Sequence, residues 1–153
     1  GASRQGAKGE GLSAAANIRA HRSDDRREAY ENVHHRVVFS GLGVLPYARV
    51  GHSAESARDA GLDHVVATRE ASSDGVFKSK NVADGLGRVV VGTDGTVLGW
   101  QGLHYHADAM AKTMQAAVEM GLDVRDLPDR AYHPTTPEII DSLLRAATAE
   151  LAE

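Results

Sequence analysis

Cysteine is absent from the 153 residues. That excludes disulfides, thiolate metal sites and a cysteine nucleophile within this chain. It fits a cytoplasmic protein, and any thiol chemistry would need sulfur supplied by another chain or segment. An excess of positive charge is missing too. The net charge is −4, so no basic field exists to hold a phosphate backbone, and no nucleic-acid partner is expected. No run approaches the ~20 apolar residues of a membrane helix. Gly1 to Gly11 lacks the apolar stretch of a signal peptide, so no membrane partner is expected either. The glycines never fall in G-x-G-x-x-G spacing, and no dinucleotide fingerprint is present. Proline is scarce, with 4 in the chain, and two of them, Pro134 and Pro137, mark one short run.

What remains is an ordinary globular composition, 42% apolar and 25% charged, in a length that suits one domain with a sizeable core. Gly1 to Gly11 reads as a flexible tail and Ser13 to Arg22 as a short Ala-rich helix. The charged run Ser23 to Asn32 reads as a solvated linker or helix end. Strands are predicted over Arg36 to Ser40, His64 to Arg69, Arg88 to Gly92 and Thr96 to Leu103, with a short edge strand over Val76 to Lys80. Thr93-Asp94-Gly95 joins the third and fourth of these as a hairpin. Ser53 is placed to cap a helix over Ala54 to Ala60 that Gly61 stops. From about His106 to Met120 the apolar period becomes 3.6, with Ala107, Met110, Ala111, Met114, Ala117 and Val118 on one face. Gly121 stops that helix, and Asp123 to Leu127 reads as a helical turn. A last helix over Pro137 to Ala149 turns Ile139, Ile140, Leu143, Leu144 and Ala147 inward. The fold class is α+β: an antiparallel sheet of about four to five strands with helices packed on it.

The run Tyr132 to Glu138 is the richest in chemistry. His133 precedes a helix start on backbone stiffened by Pro134 and Pro137. Glu138 lies in the first helical turn and can fold back on the imidazole, fixing one ring nitrogen and freeing the other as a general acid/base. Thr135-x-x-Glu138 is also a capping box. The residues alone favour capping, and a carboxylate with two oxygens can serve both ends. His104 and His106 would share a face on a strand, yet two histidines without a third ligand fall short of a metal site. No metal is expected, and His34-His35 reads as incidental. Trp100 reads as a buried core or interface residue.

The run His133-Pro134-Thr135-Thr136-Pro137-Glu138 resembles the H-P-T-x-x-E signature of flavin-dependent pyridine nucleotide-disulfide oxidoreductases. Glutathione and mycothiol reductases and dihydrolipoamide dehydrogenase belong to that family. Gly121 to Leu127 is similar to its G-L-T-x-E-D-L. Val97-Leu98-Gly99 with His106-Ala107-Asp108 is similar to I-L-G with H-A-D, Pro46 to Gly51 to P-x-x-A-x-V-G, and Val37 to Ser40 to V-V-F-T. Order and spacing agree from about Val33 to Arg145. Ala14 to Ile18 resembles the A-A-x-N-I end of the family's FAD domain. The chain departs from the pattern over Ser40 to Leu45 and at His104, where a glycine is usual.

The resemblance implies the interface-domain fold over 33–153, with 1–32 a flexible tail and a remnant of the FAD-domain helix and linker. It implies a homodimer whose parent chain carries FAD and NAD(P)H in two further domains and acts on a small-molecule or protein-bound disulfide. His133 and Glu138 match the pair that serves the partner subunit's cysteine site. No cofactor-binding residue is expected in this chain, and the chain alone is expected to be inactive. Two other readings stand beside this one: a purely structural homodimerisation module, and a metal hydrolase built on His104, His106 and His133.

Overall fold

A computed structural model describes residues 4–23, 36–38 and 45–152. The chain divides into two units, Gly1–Val33 and His34–Glu153. The first holds helix α1, Arg4–Ser23. It covers the predicted Ser13 to Arg22 helix but begins inside the stretch read as tail. Glycine costs a helix about 1 kcal/mol relative to alanine. The helix formers Ala7, Lys8, Glu10 and Leu12 carry the helix through Gly6, Gly9 and Gly11. Beyond Ser23, the charged run to Asn32 lies outside the described residues, as do His34, His35 and the stretch from Phe39 to Val44.

The second unit is built on five strands: β1 Arg36–Val38, β2 Tyr47–Gly51, β3 His64–Glu70, β4 Gly85–Gly92 and β5 Val97–His104. Their order is β1-β2-β5-β4-β3, and every pairing is antiparallel. The β4–β5 hairpin turns where Asp94-Gly95 predicts it, with Gly95 at φ 100°, a conformation that a side chain would strain. Asp94 Oδ1 accepts the Thr96 N–H at 2.9 Å. Arg125 donates to the Asp94 carbonyl at 2.9 Å and holds the Asp123 carboxyl down at about 2, tying the predicted turn at Asp123 to the hairpin tip.

Ser53 caps helix α2, Ala54–Asp59, as predicted. Val76 to Lys80 is not an edge strand. Gly75–Ser79 is a short helix, α3, because Asp74 Oδ1 accepts the N–H groups of Val76 at 2.8 Å and Phe77 at 3.3 Å. The residues read as a turn thus supply a helix cap, and Phe77 becomes fully buried core.

Helix α4, Ala107–Glu119, lies over β2 and β5. Helix α5, Glu138–Glu150, lies over β3 and β4. The inward residues follow the predicted period: Met110, Met114 and Ala117 from α4, and Ile139, Ile140, Leu143, Leu144 and Ala147 from α5 are buried. Val118 is partly buried at the edge of that core. They close over Ala48, Val50, Val89, Val91 and Trp100 in one cluster. Trp100 is paired with Val50 on one side and Val89 on the other, which sets it at the centre of the sheet. Among the described residues no helix is long and apolar enough to cross a membrane.

Candidate functional site

Helix α5 starts one residue after Pro137, and the chain leading to it, from Pro128 to Thr135, has no regular secondary structure. The His133–Pro134 peptide in that stretch is cis. Glu138 Oε1 accepts the Thr135 N–H at 2.9 Å, which is half of the predicted capping box. The other half is not formed: the Thr135 hydroxyl donates to the Tyr132 carbonyl, and no side chain caps the first turn. His133 Nδ1 lies 3.1 Å and 3.2 Å from the two Glu138 oxygens. Capping and ring orientation therefore share one carboxylate.

The charge state of the pair follows from its donors. The Thr135 amide first, then the His133 ring, holds the Glu138 carboxyl below its ordinary value. An ionised carboxylate only accepts hydrogen bonds. Nδ1 therefore carries the hydrogen, and Nε2 is the free end of the imidazole. The His133 side chain is 78% exposed against 26% for Glu138, so the ring reaches outward from a more sheltered base. The pair borders a polar cleft of about 510 Å³ lined also by Ser73, Asp74, Arg130 and Arg145. An imidazole so held can take a proton at Nε2, with Glu138 stabilising the charge that results.

His104 and His106 are not brought to this place. Strand β5 ends at His104, whose side chain is fully buried, edge-on to Phe77 at 5.5 Å and to Trp100 at 6.0 Å. Its Nδ1 donates to the Tyr105 carbonyl at 2.9 Å. His106 adopts left-handed backbone, φ 64°, stacks on Tyr105 and lies 3.3 Å from the Thr136 hydroxyl. The shared face expected of His104 and His106 on one extended strand is therefore not formed. Among the described residues no three His, Asp or Glu side chains gather to hold a metal ion. Asp141 and Arg145, two residues that no motif marks, bear on the site instead. The buried Asp141 accepts the Ala131 N–H at 2.7 Å, and Arg145 donates to the Asp129 carbonyl at 3.2 Å.

Burial makes His104 a source of pH-dependent stability. Desolvation is the largest influence and pushes its pKa below the ordinary 6.5; the bond to Tyr105 works the other way, and the charge of His106 lowers the value further. The unfolded chain therefore takes up a proton before the folded chain does. Stability is full above pH ~6.5 and falls as pH drops towards the folded-state pKa. The urea midpoint is expected to fall between pH 7.5 and pH 5, and to fall less in His104→Leu. Equal slopes in the two proteins would mean that His104 does not carry the effect.

Comparison with known proteins agrees with this architecture. Residues 35–144 match the family model described as pyridine nucleotide-disulphide oxidoreductase, dimerisation domain. The dihydrolipoyl dehydrogenase of Pseudomonas aeruginosa is 32% identical over 99 residues, which are 63% of this chain and 21% of that protein. The chain thus spans about a fifth of the length of that relative. The HOCl-induced flavoprotein disulfide reductase RclA from Escherichia coli superposes with a TM-score of 0.68 at 20% identity, covering 85% of this chain and 30% of that one. LpdA from Mycobacterium tuberculosis gives a TM-score of 0.69 at 15% identity, covering 84% and 28%. At these identities the two structures show a common fold. The family model extends from the start of the second unit into α5, and on that match the chain belongs to the pyridine nucleotide-disulphide oxidoreductase family, as its dimerisation domain.

Proposed function

We propose that this dimerisation domain pairs its parent chain with a second copy and presents His133, oriented by Glu138, to the partner subunit's cysteine redox site. The observation that carries the reading is the His133–Glu138 contact, which leaves Nε2 as the outward, proton-accepting atom. There Nε2 takes the proton of a thiol. The imidazolium that forms stands beside the thiolate and favours it, while Glu138 stabilises the imidazolium from behind. Returning the proton completes the cycle. The parent is a disulfide oxidoreductase, acting on a small-molecule or protein-bound disulfide in thiol redox balance.

FAD and NAD(P)H, bound by other domains of the parent, supply the electrons. Among the described residues little is built to hold either nucleotide. Its glycines form no phosphate-cradling fingerprint. Side chains of Ser53 and Asp74 already occupy the first turns of α2 and α3, and the Glu138 carboxylate stands at the start of α5. The chain by itself is an interface, inactive without its nucleotide domains.

The reading requires that His133 act across the dimer, and mixed dimers test it. One variant of the parent carries His133→Ala, and the other lacks the redox cysteines. Each is inactive alone. In the mixed dimer one of the two symmetric sites joins an intact His133 to an intact cysteine pair, so about half of normal turnover is expected. Mixed dimers as inactive as either variant would mean that His133 does not act across the dimer, and a His133→Ala homodimer with normal turnover would leave the domain a purely structural module for holding subunits together.

A further inference from the structure

His133 sits on a stretch with no helix or strand of its own, so something else must fix its path. The candidate is the polar edge of α5. Glu138, Asp141 and Arg145 are spaced i, i+3 and i+7, which places them along one side of a helix. Each meets the incoming segment at a different point. Arg145 Nη1 donates to the Asp129 carbonyl at 3.2 Å and lies 3.6 Å from the Asp129 carboxylate. Asp141 Oδ2 accepts the Ala131 N–H at 2.7 Å. Glu138 accepts the Thr135 N–H and the His133 ring. As the segment advances from 129 to 135, the helix is read backwards from 145 to 138. The result is a three-rung ladder between a helix face and an extended strap.

The rungs are unequal. The Arg145–Asp129 pair is about half exposed on both sides, and exposed ion pairs hold little. Asp141 is different. It is 8% exposed, one of three buried polar residues among those described, and a carboxylate so sheltered is tolerated where its hydrogen bonds are made. Its bond to Ala131 is short and charge-assisted. Ala131 lies two residues before His133, so holding its amide sets the direction from which the ring approaches Glu138.

We propose that Asp141 is a positioning residue: by holding the Ala131 amide against α5 it keeps the His133 ring on Glu138, and so keeps the hydrogen on Nδ1 and the lone pair on Nε2. The catalytic meaning of this rests on the acid-base reading of His133 given above; the geometry does not.

The test uses ring nitrogen shifts of His133 by NMR in the whole chain, at a pH where its imidazole is neutral. Asp141→Leu keeps the shape of the side chain, which suits a buried position, and removes the acceptor. Asp141→Asn keeps an oxygen that can accept the Ala131 N–H. In the wild-type chain the Nδ1–H tautomer is expected. In Asp141→Leu the ring is expected to move to the Nε2–H form that a free imidazole prefers, and exchange of the Ala131 amide hydrogen to rise by roughly tenfold or more. Asp141→Asn is expected to restore the Nδ1–H form. The Trp100 indole signal reports that the core is intact in each. Asp141→Leu with an unchanged His133 tautomer would overturn the proposal, as would Asp141→Asn behaving like Asp141→Leu. Neither result bears on the mixed-dimer experiment, so failure of the ladder and failure of the acid-base role are separable.

Discussion

In the intact parent enzyme, His133→Ala is expected to lower turnover by about a hundred- to ten-thousand-fold, the range that one positioned general acid/base contributes. The reason that so large an effect should be specific lies in the surroundings of the ring. Its one hydrogen-bond partner among the described residues is Glu138, and its side chain is 78% exposed. Removing the ring empties no core. Glu138 keeps its bond to the Thr135 amide, so the start of α5 is still held. Thermal stability and flavin content should therefore match the wild type while the proton-transfer step slows. Steady-state kinetics beside a melting curve and a flavin absorbance spectrum would check this. Near-normal turnover would remove the acid-base role, whatever the state of the dimer.

Trp100→Ala is expected to act on the fold instead, with a loss of about 3–5 kcal/mol. The indole is fully buried on β5 between Val50 and Val89. It also lies over Gly102, two residues further along its own strand. A Cβ added at Gly102 would stand 2.5 Å from Trp100 Cη2, so the ring fills the space over that glycine. Losing the indole leaves a cavity in the core cluster beside the His104 ring, whose centroid lies 6.0 Å away, and the cavity term adds to the lost burial. Domain stabilities of roughly 5–15 kcal/mol leave little after such a change. Urea unfolding followed by far-UV circular dichroism would measure it. A loss below about 1 kcal/mol would mean that the sheet and helices collapse around the gap, contrary to the close packing expected of such a core.

What could be read in the sequence was what is local and periodic. Asp94-Gly95 marks its hairpin because the turn needs a residue tolerant of positive φ. Helices α4 and α5 show their buried faces because Met110, Met114 and Ala117, and Ile139, Leu143 and Ala147, recur at helical spacing. His133 and Glu138 are five residues apart across a helix start, so one motif contains the whole contact. The misreadings share a cause as well. Val76 to Lys80 holds a β-branched residue and an aromatic in too short a run for period to decide between strand and helix, and the Asp74 cap decides. The glycines before Gly11 argue for a tail residue by residue, while α1 forms as a unit. His104 and His106 look like strand neighbours until the left-handed backbone at His106 turns the chain. Asp141 and Arg145 are ordinary polar residues until the path of the 129–135 segment brings its backbone to them.

The ladder along α5 has a consequence for how this region can change. The position of His133 is held by the rotational phase of a helix, about 100° per residue. The apolar face of α5 obeys the same phase, with Ile139, Ile140, Leu143, Leu144 and Ala147 turned to the sheet. Substitutions that respect side-chain type at these positions leave both faces in step. A single residue inserted or deleted between Glu138 and Arg145 does not. It would turn the lower rungs a quarter of the way round the helix axis, carry Asp141 or Arg145 off the strap, and set the buried and strap-holding faces at odds. Length, more than identity, is what this stretch must conserve.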